Sequence, residues 1–194
     1  VRRLVGSEMC IRDSTNSAGH WMVWHQSFSD TDNNLFLNLN NGLNNAGFPS
    51  GTDPTTTTTF VPAVTSYNNV NGNDYVAYVF AEVEGYSKFG SYTGNGSTDG
   101  TFVYTGFKPA WVLIKQTNST GSWVMHDNKR SPFNVIDEDL FANLSSAESD
   151  NGVDKDFLSN GFKHRASHSA VNGSSSTYIY MAFAEQPFKF SNAR

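Results

Sequence analysis

Apolar and polar residues alternate with a period of two along most of the chain, the spacing of a strand with one buried face. In residues 178–185 (YIYMAFAE), Ile179, Met181 and Phe183 share one side, and Tyr178, Tyr180, Ala182 and Ala184 share the other. The first set is read as the core face. In residues 75–82 (YVAYVFAE) the same reading gives Val76, Tyr78 and Phe80. Residues 110–114 (AWVLI) are apolar throughout, as in a central strand covered on both sides. Trp123 and Met125 alternate with Val124 and His126 in a further strand. Turn signals separate these runs: Gly94-Asn95-Gly96, Asp99-Gly100, Asn151-Gly152, Asn160-Gly161 and Asn172-Gly173 all tolerate positive φ. Only residues 136–149 could hold a short helical turn, and the run PTTTTT at 54–59 reads as a connector. The predicted fold class is all-β, an antiparallel β-sandwich or jelly-roll-like architecture.

The pattern occurs twice. STNSAGHWMV (14–23) matches QTNSTGSWVM (116–125) 102 positions later, LFLNL (35–39) matches LFANL (140–144) 105 later, and YVAYVFAE matches YIYMAFAE 103 later. Three blocks in one order at a near-constant offset indicate a tandem repeat of about 100 residues. The stretch YTGNGSTDGTFVYTGFKPAWVLIK (92–115) has no counterpart before Thr15. The expected organisation is therefore a truncated unit at 15–88 and a complete unit at 89–194. Residues 1–14 (VRRLVGSEMCIRDS) resemble the translated read-through of a sequencing adapter. They are set aside as an artefactual segment, and Cys10 with them.

Composition narrows the function classes. Thirteen Lys and Arg stand against 18 Asp and Glu, a net charge of −5. No basic stripe is present, so no nucleic-acid partner is expected. The single cysteine excludes an internal disulfide and a multi-thiolate metal site. No apolar run reaches the roughly 20 residues of a membrane helix, and no membrane insertion is expected.

The string GSYTGNGSTDGTFVYTGFKPAWVLIK, then WVMHDNKR, DFLSNGFKHR and TYIYMAFAEQPFKF, resembles a repeated β-sandwich domain of uncharacterised function. That domain occurs in virion and tail proteins of marine bacteriophages, often beside concanavalin A-like lectin domains. The resemblance covers the second unit and most of residues 15–84. It implies an uncharacterised, non-enzymatic virion structural protein, extracellular on the phage particle in a tail fibre or similar appendage. Other virion proteins would be its partners. Tail fibres are commonly homotrimers, although no heptad or collagen-like repeat in the sequence points to a trimer.

Glu82 and Glu84 have the alternate spacing of a glycosidase pair, but they correspond to Glu185 and Pro187, and a shared structural role is simpler. There is no G-x-S-x-G elbow. His126, His164 and His168 are read as solvated rather than zinc-binding. Calcium is a candidate at Asp30, Asp32 and Asn34, which begin like an EF-hand loop, and at Asp150, Asp154 and Asp156. In the first of these the pattern fails, because Leu35 takes the glycine position and Asn41 that of the bidentate glutamate. No other cofactor is expected. The sequons at Asn95, Asn118, Asn143 and Asn172 are read as turn residues. The favoured ligand is a host-surface glycan, in lectin-like host recognition. The loop Asp127, Asn128, Lys129 and Arg130 would supply hydrogen bonds, and Tyr92 and Tyr104 would supply stacking surfaces. Two further readings are a purely structural spacer or decoration domain and a polysaccharide-degrading enzyme.

Overall fold

The computed structural model describes residues 8–30, 32–44 and 70–186; the connector at 54–59 and both ends of the chain lie outside these. The chain divides into two compact units, Val1–Glu82 and Val83–Arg194. The division falls before Val83 rather than after residue 88, because Val83 and Ser87 close a bridge that leads into the first strand of the second unit. Among the described residues no helix is long and apolar enough to cross a membrane.

The described residues of the first unit form an antiparallel sheet. It contains β1 (Met9–Ser14), β2 (Met22–His25), β3 (Leu35–Phe36) and β4 (Tyr75–Phe80), in the spatial order β3-β2-β1-β4. One buried cluster in it is Met22, Trp24 and Phe36, with Phe28 and Leu39 packed against them, and Met9, Cys10, Val23 and Leu35 are buried as well.

The second unit is the sandwich that the alternation predicts. Its strands are β5 (Ser87–Thr93), β6 (Phe102–Tyr104), β7 (Pro109–Gln116), β8 (Val124–Asp127), β9 (Leu140–Phe141), β10 (Lys155–Leu158), β11 (Gly161–His164) and β12 (Thr177–Ala184). A single helical turn, α1 (Ser169–Asn172), precedes β12. One sheet runs β5-β12-β7-β8-β9 and the other β10-β11-β6. Val112, Ile114, Val124, Tyr178, Tyr180 and Ala182 from the first sheet meet Val103, Phe157 and Phe162 from the second in one buried cluster. Gly161 in β11 is needed for close approach, since a Cβ there would stand 2.1 Å from the Val103 carbonyl oxygen of β6.

The sandwich-facing side of β12 is Tyr178, Tyr180 and Ala182, opposite to the side chosen from residue size. Tyrosine suits this side because its hydroxyl finds a partner: Tyr178 Oη donates to the Ser169 carbonyl at 2.5 Å and accepts from Gly173 N at 2.9 Å. Ile179 and Met181 are buried as well, so β12 is covered on both faces. In β4 the set read as core includes Tyr78, which is 49% exposed. Among the described residues the only helix is α1; residues 136–149 instead hold β9 and two isolated bridges, Ile136 with Lys155 and Asp139 with Ser149.

The two units share geometry beyond strand order. Within the first sheet Cys10 faces Trp24 and Val79; within the second Val112 faces His126 and Ala182. Val23 faces Leu35 as Met125 faces Leu140. Trp21 N donates to Asn38 Oδ1 at 3.1 Å, and Trp123 N to Asn143 Oδ1 at 2.9 Å. Met9–Ser14, set aside on sequence grounds, occupies in the first sheet the place of β7 in the second. The fit is imperfect. Arg12 stands where Ile114 stands in β7, and its guanidinium is buried with Nη1 unpartnered, stacked at 4.4 Å on the Tyr75 ring. Burial pulls its pKa below the usual arginine value.

Arg12→Ile should stabilise the first unit by about 1–3 kcal/mol, the usual penalty of an unsatisfied buried polar group, less about 0.5–1 kcal/mol for the lost ring contact. Chemical denaturation of both proteins checks this. An isolated segment 83–194 should melt in one cooperative calorimetric transition, whereas residues 15–84, lacking the central β1, should not.

Candidate functional site

The loop that leaves β8 is ordered by its own polar groups. Asp127 Oδ1 accepts from Lys129 N and Arg130 N, both at 2.9 Å, the turn that an aspartate at a strand end favours. Asp127 Oδ2 takes Arg130 Nε at 2.6 Å. Arg130 then donates to the Glu138 carbonyl at 3.0 Å and the Met125 carbonyl at 3.1 Å, and meets Glu148 at 3.3 Å. Burial alone would raise the Asp127 pKa, but hydrogen bonds and charge from Arg130 and the Lys129 N–H outweigh it and bring the value down. Asn128 Nδ2 donates to Glu185 Oε1 at 2.8 Å, and Glu185 Oε2 pairs with Lys108 at 2.7 Å. Of the four loop residues expected to meet a ligand, Asp127, Asn128 and Arg130 are thus engaged within the fold. Lys129 alone is exposed.

The continuation of this loop holds the feature that sequence reasoning missed. Ser131 Oγ donates to Asp137 Oδ1 at 3.0 Å and accepts from Glu138 N at 3.1 Å. Asn134 clamps β10, its Nδ2 donating to the Phe157 carbonyl at 3.1 Å and its Oδ1 accepting from Phe157 N at 2.9 Å. Phe133, between these two anchors, is 82% exposed. An aromatic ring on a pinned loop is presented to solvent at little conformational cost. The only sequence signal was an apolar residue in a polar loop, which is common and unspecific.

The two tyrosines separate. Tyr104 is 62% exposed on β6, with Phe102 exposed on the same side and Val103 turned into the core. Tyr92 is unsuited to stacking a ligand. Its ring lies on Tyr178 at 5.0 Å and 15°, its hydroxyl donates to the Val171 carbonyl at 2.7 Å, and burial lifts its pKa well above the ordinary value.

The histidines also differ from the expectation. His126, His164, Asp139 and Lys155 are all fully buried. Lys155 Nζ lies 2.6 Å from His126 Nδ1 and donates to the Val153 carbonyl at 3.3 Å. His126 Nε2 is 2.6 Å from Asp139 Oδ1, within ion-pair range but off the hydrogen-bond axis. Both His164 ring nitrogens lack a hydrogen-bond partner, and the ring packs between Tyr92 and Phe162. Burial is the dominant effect on each group. It pushes Lys155 down to about 7, holds both imidazoles well below their usual value, and raises Asp139. His168 lies apart on the surface, accepting from Ala170 N at 3.1 Å as the N-cap of α1. With no exposed member, the cluster cannot meet a substrate in this conformation. A strand signal for it existed: Val153, Lys155 and Phe157 alternate onto one inward face.

Of the carboxylates proposed for calcium, Asp32 shares a side-chain hydrogen bond with Asp30, and burial together with the charge of Asp150 raises the pKa of Asp154. Asp150 caps Gly152 N at 2.9 Å and Asp156 pairs with Arg165 at 2.6 Å. Thr31, inside the other proposed loop, lies outside the described residues. Among the described residues no group of three or more His, Cys, Asp or Glu side chains could hold a metal ion. Cys10 is buried, which raises its thiol to about 12 and leaves it protonated and unreactive near neutrality.

Fold and surface together define an all-β antiparallel protein that exposes isolated aromatics on strands and pinned loops. The chain belongs to the family described as domain of unknown function (DUF7483), whose match runs over residues 4–187, across both units and into the first fourteen residues. No curated protein and no solved structure matches it.

The buried bases impose a pH dependence. Lys155 titrates near 7 when folded and near its ordinary 10.5 when unfolded. The unfolded chain therefore binds more protons between these values, and stability rises with pH across that window, by at most about 1.4 kcal/mol per pH unit per lysine. Lys115, pushed by burial to about 8, acts in the same direction. His126 and His164 withdraw stability as pH falls below the ordinary histidine value, while Asp139, its pKa raised, acts in the opposite sense on the acid side. Denaturation at pH 7, 8.5 and 10 should show increasing stability, with a smaller slope in Lys155→Met.

Proposed function

We propose that the protein is a non-enzymatic component of a phage particle, in a tail fibre or similar appendage, built from two copies of one repeated β unit, and that it contacts host-surface glycans. The virion location rests on the resemblance of the second unit's motifs. The shared strand order and register of the two sheets support the repeat. The contact reading is carried by Phe133, which is 82% exposed on a loop anchored at both ends beside the Asp127 turn. Sugars present C–H faces that stack on such rings, and Lys129 and the exposed Tyr104 are further surface groups of the same unit. Asp127, Asn128 and Arg130 take a supporting part, shaping the loop rather than touching the ligand.

The spacer reading is favoured by one observation: the charged groups of the Asp127 loop are consumed within the fold. A glycan-array assay on the whole chain separates the readings. Specific binding that falls by about tenfold or more in Phe133→Ala, with the melting temperature unchanged, supports glycan contact; a ring contact worth about 1.5 kcal/mol gives that factor. Binding that persists in Phe133→Ala excludes the proposed site. No binding to any glycan favours the structural spacer.

A further inference from the structure

Three strands of the second unit turn an aromatic row away from the core. Val103 of β6, Phe157 of β10 and Phe162 of β11 point into the sandwich, so their neighbours along each strand point outward. On β6 these neighbours are Phe102 and Tyr104, 43% and 62% exposed. Two residues of strand rise set them about 7 Å apart. Tyr104 faces Gly161 of β11, which in turn faces Leu158 of β10. Gly161 carries no side chain, and the Phe102 ring takes the space: a Cβ there would stand 3.1 Å from its Cε2 and Cζ. The middle of the row is therefore covered by a ring lying against the sheet.

Phe133 stands at the far edge of the same layer. Ile136 N donates to the Lys155 carbonyl at 2.8 Å, and Asn134 clamps Phe157, so the segment that carries Phe133 runs beside β10. β6 is on the other side of the layer, beyond β11. At about 4.8 Å between neighbouring strands, roughly 14 Å separate that segment from β6, the length of a few linked sugar rings.

Charge beside the row is balanced. Lys163, directly opposite Phe102 in register, pairs with Asp99 at 2.6 Å, and Arg165 pairs with Asp156 at 2.6 Å. The Lys163 contact holds the Asp99 carboxyl below its usual value. Rings flanked by matched charges suit an uncharged ligand rather than a polyanion, which is bound through cations left for it.

We propose that this face binds an extended neutral polysaccharide, laid across the strands with its sugar rings over Phe102 and Tyr104 and its far end on Phe133. The assignment rests on the glycan reading above and narrows it from a sugar at one ring to a chain over three.

The test uses the whole chain with dextran, mannan and xylan as neutral polymers and alginate as an anionic one, read by affinity electrophoresis. Oligomers of any polymer bound are then titrated by calorimetry. The expected result is binding to a neutral polymer, with affinity that rises with oligomer length. Tyr104→Ala should weaken it about tenfold, and Tyr104→Ala combined with Phe133→Ala about 100-fold, since separate ring contacts add. Tyr104→Phe keeps the ring and should bind as the unaltered chain does, which separates stacking from a folding defect. Binding lost in Phe133→Ala but unchanged in Tyr104→Ala would overturn the row and leave the single-ring site standing. So would binding confined to alginate, or equal affinity for the shortest and longest oligomers. Absence of binding to every polymer overturns the row as well, and removes the wider glycan reading only where the glycan array is also blank.

Discussion

The pairing of β12 with β7 is the constraint on which the second unit depends. These two strands lie at the centre of the five-stranded sheet, and each carries neighbours on its outer side, β5 and β8. Val112, Leu113 and Ile114 of β7 and residues 178–182 of β12 are all buried, so both faces of the pair are withdrawn from water. At about 25 cal/mol per Å² of apolar area, burial on this scale outweighs any single polar contact in the unit. One face then forms the floor on which β6, β10 and β11 pack. α1 is fastened to it through the Tyr178 hydroxyl. Asn172, also fully buried, ties the helical turn to the 94–99 loop by donating to Asn95 Oδ1 and to the Ser97 and Ala166 carbonyls, each at 2.9 Å.

Within that apolar floor sits a polar exception. His126, Asp139, Lys155 and His164 come from four separate strands or bridges, and folding alone brings them together. Burial disfavours charge, so the bases move toward their neutral forms and the desolvation penalty is reduced rather than fully incurred. Such a cluster contributes less to stability than an apolar core of equal volume.

Strand order and register in the first unit match those of the second, and among the described residues it has no counterpart of β6, β10 and β11. Met9, Cys10 and Ile11 of β1 and Met22, Val23 and Trp24 of β2 are buried, whereas on β4 Val79 is half exposed where Ala182 is fully buried. β1 completes the hydrogen-bonded ladder, but a side chain as polar as Arg12 at an Ile position leaves a guanidinium only partly satisfied.

By itself the sequence determined the all-β antiparallel class and the matching blocks, because these follow from local rules: a period of two, turn dipeptides with allowed positive φ, and self-similarity at a near-constant offset. It did not determine which face of β12 looks into the sandwich. A central strand is apolar on both sides, so side-chain size no longer reports burial, and Tyr178 could turn inward because Ser169 and Gly173 at the ends of α1 supplied partners for its hydroxyl. The surface behaved likewise. Asp127, Asn128 and Arg130 are polar and in a loop, as a ligand site requires, but whether such groups face a ligand or one another is decided by the carbonyls and carboxylates that the tertiary fold places beside them. Phe133 became notable for the converse reason: the fold anchored Ser131 and Asn134 on either side of it and left its ring 82% exposed.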